Sequence, residues 1–88
     1  MDKQNELNWV DEDRKVFKSY NFHDGMKRLA DRFFDAKKNF LNDETAENLY
    51  LLKTLFLELH SCLKRDCSMR RISKKDFDTL SELIWKGI

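Results

Sequence analysis

The 88-residue sequence contains no proline and only two glycines. Tight β-turns depend on these two residue types, so their scarcity argues against a turn-rich β fold and favours long helices joined by short connections. No apolar run approaches the roughly 18–20 residues that a membrane-spanning helix needs. The first residues, MDKQNELNW, do not have the pattern of a signal peptide, so the sequence predicts a cytoplasmic protein without a membrane segment.

The chain also has few residues that could carry chemistry. Cys62 and Cys67 are five residues apart on or near one predicted helix and point in different directions, so we expect two reduced thiols. His60 and Cys62 have a spacing that splays metal ligands around a helix, and no CxxC pair exists. A glycine-rich phosphate loop and a nucleophile–base pair are both missing. We therefore expect no metal, no cofactor and no enzymatic activity.

The most apolar stretch of the chain runs from Leu49 to Leu63 with the sequence LYLLKTLFLELHSCL. Its apolar residues recur in steps of three and four, the spacing of one helical face. The main stripe is Leu49, Leu52, Phe56, Leu59 and Leu63, with Leu51, Leu55 and Cys62 beside it. This pattern predicts the longest and most buried helix of the fold.

Two apolar residues interrupt the polar side of this helix. Tyr50 and Leu57 are seven residues apart and project at nearly the same angle. Either the first or fourth helix covers them, or they form an interface with a partner or a second copy of the chain. The simplest interpretation is a helix buried from both sides, at the centre of a bundle or at the seam of an oligomer.

A first short helix is predicted from about Val10 to Tyr20, with acidic residues at its start and lysines later, the order that a helix dipole favours. Asn21 can take the left-handed conformation that ends a helix, which brings Phe22 back onto Phe17 as in a Schellman motif. Asp13 projects into the apolar face of this helix. We expect a nearby arginine to neutralise it, unless the helix begins later.

A second helix is predicted from about Asp24 to Leu41, with Asp24 as its N-cap. Its apolar stripe is Met26, Leu29, Phe33, Ala36 and Phe40. Opposite charges are spaced for pairs along its outer surface: Asp24 with Arg28, Lys27 with Asp31, and Asp35 with Lys38. Asn42 and Asp43 are predicted to end this helix and to cap the third, and so short a link makes the two helices antiparallel.

The last helix has signals at both of its ends. Its start combines an N-cap serine, Ser73, with an acid three residues later, Asp76, and with the hydrophobic staple pair Ile72 and Phe77. Its predicted end is a Schellman pattern at 87–88. Together, the four predicted helices indicate an all-α, antiparallel four-helix bundle that forms a single domain over residues 1–88.

Charge is unevenly distributed, although the formal net charge is only +1. Residues 1–13 carry five acids and one lysine, whereas residues 64–75 carry six basic residues against one acid. We call residues 64–75 the basic segment; its cations are Lys64, Arg65, Arg70, Arg71, Lys74 and Lys75. These cations are either solvated or paired within the chain, with the acidic N-terminal residues as one candidate, or they bind an acidic protein or a nucleic acid.

The leading hypothesis from sequence is a non-enzymatic protein-binding module, namely a regulator, adaptor or inhibitor that binds a partner or itself. Its predicted contact residues are Tyr50, Leu57 and Trp85, because Trp85 projects about 80° away from the main stripe of its helix. Arg70 and Arg71 would steer an acidic partner. The alternative is a small nucleic-acid-associated protein that uses the basic segment, although that segment lacks interleaved aromatic residues for base stacking.

Overall fold

A computed structural model describes residues 3–86 of the chain, with side chains from residue 5 onwards. These residues form four α-helices and no strand. The helices are α1 (Lys3–Lys18), α2 (Asp24–Asn42), α3 (Ala46–Ser68) and α4 (Lys74–Trp85). The connections at 19–23, 43–45 and 69–73 are short, so consecutive helices run antiparallel. None of the described helices combines the length and apolarity required to cross a membrane.

The four helices stand at the corners of a square. Helix α2 packs against α1 and α3, and α4 packs against α3 and α1. Within the described residues, the backbones of the diagonal pairs do not come into contact. This arrangement confirms the predicted antiparallel bundle with a long third helix. It also shows that α3 occupies a corner, so the prediction that it lies at the centre of the bundle is wrong.

The core consists of the apolar stripes that the sequence predicts. The rings of Phe33 and Phe34 meet edge to face with 5.0 Å between their centroids, and Phe17 reaches Phe34 from α1 at 6.1 Å. Burial of each such side chain stabilises the fold by roughly 1.5–3 kcal/mol. The largest fully buried side chains are Phe17, Phe33, Phe34, Met26, Leu52, Leu59, Leu63, Leu80, Ile84 and Val10.

Helix α1 is longer at its start and ends earlier than predicted. It begins at Lys3 rather than Val10 and ends at Lys18 rather than Tyr20. Asn21 does not take a left-handed backbone, since Arg70 is the non-glycine residue with positive φ in the described chain. The predicted contact between Phe17 and Phe22 nevertheless forms, with ring centroids 5.1 Å apart.

Asp13 is balanced by lysines and not by the arginine that the sequence suggests. Its carboxylate lies 3.9 Å from Lys86 Nζ. Lys37, which is only 5% exposed, donates a hydrogen bond from Nζ to the backbone carbonyl of Lys86. Burial lowers the pKa of Lys37, and the nearby Asp13 charge partly opposes that shift. This cluster anchors the end of α4 to α1 and α2.

The helix caps are confirmed in one place and corrected in two. Ser73 Oγ accepts a hydrogen bond from the Asp76 backbone N–H at 3.0 Å, so Ser73 is the N-cap of α4 as predicted. The N-cap of α2 is His23 rather than Asp24, with Nδ1 accepting from the Met26 N–H. The N-cap of α3 is Thr45, and neither Asn42 nor Asp43 has that role. The Schellman pattern predicted at 87–88 lies outside the described residues.

The charges on α2 pair with α1, and not along their own helix as predicted. The ion pairs are Arg14 with Asp31 and Asp35, Lys18 with Asp31, and Lys38 with Asp11. The shortest joins Arg14 Nη2 to Asp35 Oδ1 at 2.6 Å. The part of the outer surface of α2 that carries Asp31, Asp35 and Lys38 therefore lies next to α1, whereas Asp24 and Arg28 are exposed.

Candidate protein-binding surface

The outward side of α3 carries two large apolar side chains that nothing in the described chain covers. Tyr50 is 76% exposed and Leu57 is 63% exposed. Leu52, Leu59 and Leu63, on the opposite side of the same helix, are fully buried. Among the described residues, α1 does not contact α3, and α4 packs against α3 without covering these two side chains, so the alternative in which the first or fourth helix shields Tyr50 and Leu57 is wrong.

Two further apolar side chains flank the strip formed by Tyr50 and Leu57, one on each side. Leu51 is 46% exposed and projects about 100° from Tyr50 towards one side of α3. On the other side, Trp85 is 59% exposed and stacks on Phe56 with ring centroids 4.6 Å apart. We call Tyr50, Leu51, Leu57 and Trp85 the outer patch.

Trp85 is the outermost member of a row of rings along the groove between α3 and α4. Beyond Phe56, the row continues to His60, whose ring lies parallel to that of Phe56 at 5.6 Å. Phe77 follows at 5.7 Å from His60. Desolvation, and then the charge of Lys64, lowers the pKa of His60.

Sequence reasoning missed this aromatic row, although part of its signal was available. Phe56 and His60 are separated by four residues on one helix, and Phe77 and Trp85 by eight on the next. The first spacing places both rings on one helical face, and the second places Trp85 about 80° around the helix from Phe77. Which faces meet depends on the packing of α4 against α3, which neither spacing specifies.

The basic segment begins in the last turns of α3 and continues through the connection into α4. Arg70 has a left-handed backbone with φ of 59°. Its N–H donates to the Cys67 carbonyl at 3.1 Å, and the Arg71 N–H donates to the Asp66 carbonyl at 2.8 Å. This pair of bonds defines a Schellman motif, in which glycine normally takes the position of Arg70.

An ion pair replaces the apolar contact that usually accompanies this motif. Arg71 Nη1 lies 3.6 Å from Asp66 Oδ1, and the Asp66 side chain is only 4% exposed. A buried carboxylate needs such a partner because desolvation penalises its charge. Arg70 and Arg71 are both exposed, but Arg71, predicted to steer a partner, also has a structural contact within the chain.

The remaining cations of the basic segment differ in their pairing. Lys74 forms an ion pair with Asp78 at 2.6 Å. Arg65 donates a long hydrogen bond to the Cys62 sulfur at 3.6 Å. Within the described residues, the other four cations of the basic segment form no ion pair: Lys64, Arg65, Arg70 and Lys75. The suggestion that acids of residues 1–13 neutralise this segment is wrong for the described part of the chain, because Asp11 and Asp13 pair with Lys38 and Lys86.

The connections at the two ends of the bundle are flanked by exposed residues of opposite charge. The connections at 19–23 and 69–73 meet at one end, where Asn21 and Arg71 line the same cleft, and the basic segment lies there. We call this the basic end. The connection at 43–45 lies at the opposite end with exposed acids, namely Asp43, Glu44 and Glu47, and we call it the acidic end.

The structure also contains a small cleft and two free thiols. A cleft of about 250 Å³ near the end of α4 is bordered by Trp9, Val10, Leu41 and the buried Lys37. Cys62 and Cys67 are free and half-buried. Among the described residues, no group of three or more potential metal ligands comes together.

Comparison with known proteins identifies no relative. No protein-family model matches the chain, and neither a curated protein nor a solved structure shows a significant match.

Proposed function

We propose that this chain is a non-enzymatic protein-binding module that acts through the outer patch. The observation that carries the proposal is the exposure of Tyr50 and Leu57 at aligned positions of the longest helix. Tyrosine, tryptophan and leucine side chains that cluster on an exposed face provide the apolar core of an interface. A module of this kind would serve as a regulator, an adaptor or an inhibitor.

The charges around the outer patch support the same proposal. Lys53, Glu58 and Ser61 are exposed beside the strip, so the apolar side chains have the polar rim typical of protein interfaces. Arg70 and Arg71 at the basic end would steer an acidic region of the partner during association. Tyr50 and Trp85 belong to the residue types that most often dominate binding energy.

The test compares Leu57→Asp with Val16→Asp. Val16 is also an exposed apolar residue, at 45%, but it lies on α1 away from the outer patch. We expect Leu57→Asp to abolish the association of the wild type, with itself or with a partner, while its far-UV circular dichroism stays unchanged. Val16→Asp should retain that association.

Two measurements are needed, because the partner is unidentified. Sedimentation velocity across a hundredfold concentration range detects self-association. Affinity capture from cells that express the chain, quantified by mass spectrometry, detects foreign partners. If Leu57→Asp changes neither the sedimentation nor the set of captured proteins, the outer patch is not a binding surface.

A second candidate function is nucleic-acid association through the basic segment. It is favoured by Lys64, Arg70 and Lys75, which lack an ion pair within the described residues. Phosphate contacts release counterions, so affinity for duplex DNA should fall steeply with salt. In filter binding, replacing Arg70 and Arg71 with alanine should reduce the salt slope by about 1.8, which corresponds to two phosphate contacts. Absent or salt-insensitive binding excludes this function.

A further inference from the structure

We propose that the outer patch binds a second copy of this chain, with the two α3 helices antiparallel about a twofold axis near residue 56. This inference rests on the proposed protein-binding function and adds the identity and orientation of the partner. It is carried by the distribution of charge along the exposed side of α3.

The exposed side of α3 is acidic at its start and basic at its end. Glu47 lies in the first turn, and Arg65 lies in the last. Both side chains are exposed, as are Glu44 just before the helix and Lys64 beside Arg65. Between them, Tyr50 and Leu57 form the apolar centre of this face.

Glu47 and Arg65 also project in the same direction. They are 18 residues apart, which corresponds to five full helical turns and to about 27 Å along the axis. Both point about 60° to the same side of Tyr50. The twofold axis is perpendicular to both helix axes and to the line that joins them. It reverses the direction of the helix but leaves each residue on the same side of the apolar strip. Glu47 of one copy therefore faces Arg65 of the other, and the pair occurs twice.

The same register brings the apolar residues together at the centre. With the axis near residue 56, Leu57 of each copy lies next to Leu57 of the other. Tyr50 comes over Ser61 of the second copy, whose small side chain leaves room for its ring, and Thr54 lies nearer the axis. Thr54 Oγ1 donates to the Tyr50 carbonyl at 2.9 Å, so its polar atom is already satisfied within its own helix.

A second copy fits this face because a twofold interface must be complementary to itself. An apolar centre between one acidic and one basic end meets that requirement only in the antiparallel orientation. A parallel pair would place Glu47 against Glu47 and Arg65 against Arg65. The ends of the bundle favour the same orientation, because the antiparallel arrangement places the acidic end of one copy beside the basic end of the other.

Flanking residues extend the contact beyond a single pair of helices. A stable interface buries about 1,200–2,000 Å² in total. Leu51 on one side of the strip and Trp85 on the other broaden the apolar area that a second copy can cover. Trp85 is held in place by its stack on Phe56, so little side-chain freedom is lost on binding.

A charge-swap experiment tests the orientation. Sedimentation velocity is recorded for the wild type, Glu47→Arg, Arg65→Glu and the double variant Glu47→Arg/Arg65→Glu. Each single change places like charges together at two symmetric contacts and should raise the dimer dissociation constant about tenfold. The double variant re-forms both pairs in reverse and should return to within about threefold of the wild type.

Monomer stability provides the control for this rescue. Both changes oppose the helix dipole, because one puts a cation at the start of α3 and the other puts an anion at its end. The double variant should therefore unfold more easily than either single variant, although it dimerises better. If the charge changes weakened dimerisation only by destabilising the monomer, the double variant would dimerise less well than either single variant.

The outcomes separate this inference from the proposed function. A wild type that stays monomeric at every concentration overturns the dimer, while affinity capture still decides whether the outer patch binds a foreign protein. Self-association that Leu57→Asp abolishes but that the charge swap does not rescue overturns the antiparallel orientation, and the outer patch remains the binding surface.

Discussion

Leu57 and Leu59 provide the sharpest test of the exposure on which the proposed function depends. They are the same residue type, two positions apart on α3, yet Leu57 is 63% exposed and Leu59 is 0% exposed. Replacing each with alanine removes the same atoms from the same helix. The difference between the two variants therefore measures burial and little else.

The structure predicts a large difference. Leu59→Ala removes side-chain atoms from a closely packed core and should lower the free energy of unfolding by about 2–5 kcal/mol. Leu57→Ala removes atoms that are mostly in water and should change it by less than about 0.5 kcal/mol. An 88-residue domain is typically stable by about 4–13 kcal/mol, so Leu59→Ala removes a large share of the total.

The assay is urea unfolding followed by far-UV circular dichroism, at a protein concentration low enough for the wild type to be monomeric. Equal slopes of free energy against urea would show that both variants unfold from the same compact state. A loss above about 1 kcal/mol for Leu57→Ala in the monomer would mean that another part of the chain covers the outer patch. That result would refute both the exposure and the proposal built on it.

Three further predictions concern caps and titration. Ser73→Ala should lower the free energy of unfolding in urea by about 1 kcal/mol, because it removes the N-cap of α4. The control Ser68→Ala, at an exposed serine, should be close to neutral. Equal losses in the two variants would contradict the role of Ser73 as the cap. Arg70→Gly should stabilise by about 1 kcal/mol, since it relieves a left-handed backbone at φ of 59°, and a loss of stability would contradict this reasoning. Because burial and Lys64 lower the folded-state pKa of His60, the unfolded chain binds its proton more readily. The free energy of unfolding of the wild type, relative to that of His60→Gln, should therefore be highest above the unfolded-state pKa of about 6.5 and should fall as the pH decreases below it. A rise in this difference on acidification would contradict the lowered pKa.

The parts of the fold that could be predicted were encoded locally. Ser73 and Asp76 lie within one turn of each other, so the start of α4 needs no knowledge of the rest of the chain. The stripe of α3 also repeats often enough to identify its buried side. The early start of α1 had a weaker signal, since Leu7, Val10 and Phe17 share one face in a stretch that is otherwise polar.

The parts that could not be predicted depend on which helix faces meet. Asp31 has a suitable partner four residues away in Lys27, yet it pairs with Arg14 and Lys18 because α1 packs beside it. His23 caps α2 although histidine is not among the preferred N-cap residues, and the stronger candidate next to it lies inside the helix.

The candidate surface was also predictable only where its signal is local in the sequence. The alignment of Tyr50 and Leu57 follows from a seven-residue spacing, and the sequence identifies it directly. Whether those side chains were covered depended on the arrangement of four helices in a square, in which α1 lies diagonally opposite α3 and cannot reach them. The stack of Trp85 on Phe56 required the same tertiary information.

The stacked position of Trp85 has a spectroscopic consequence. One face of its indole rests on Phe56, and more than half of the side chain is open to water, so its emission should lie at long wavelength. The other tryptophan of the chain, Trp9, lies on α1 beneath the Lys86 ammonium. In a Trp9→Phe background, emission would therefore arise from the outer patch alone. Dehydration of that indole by a bound protein would shift its light to shorter wavelength, so the molecule carries an intrinsic optical probe at the place where a partner would dock.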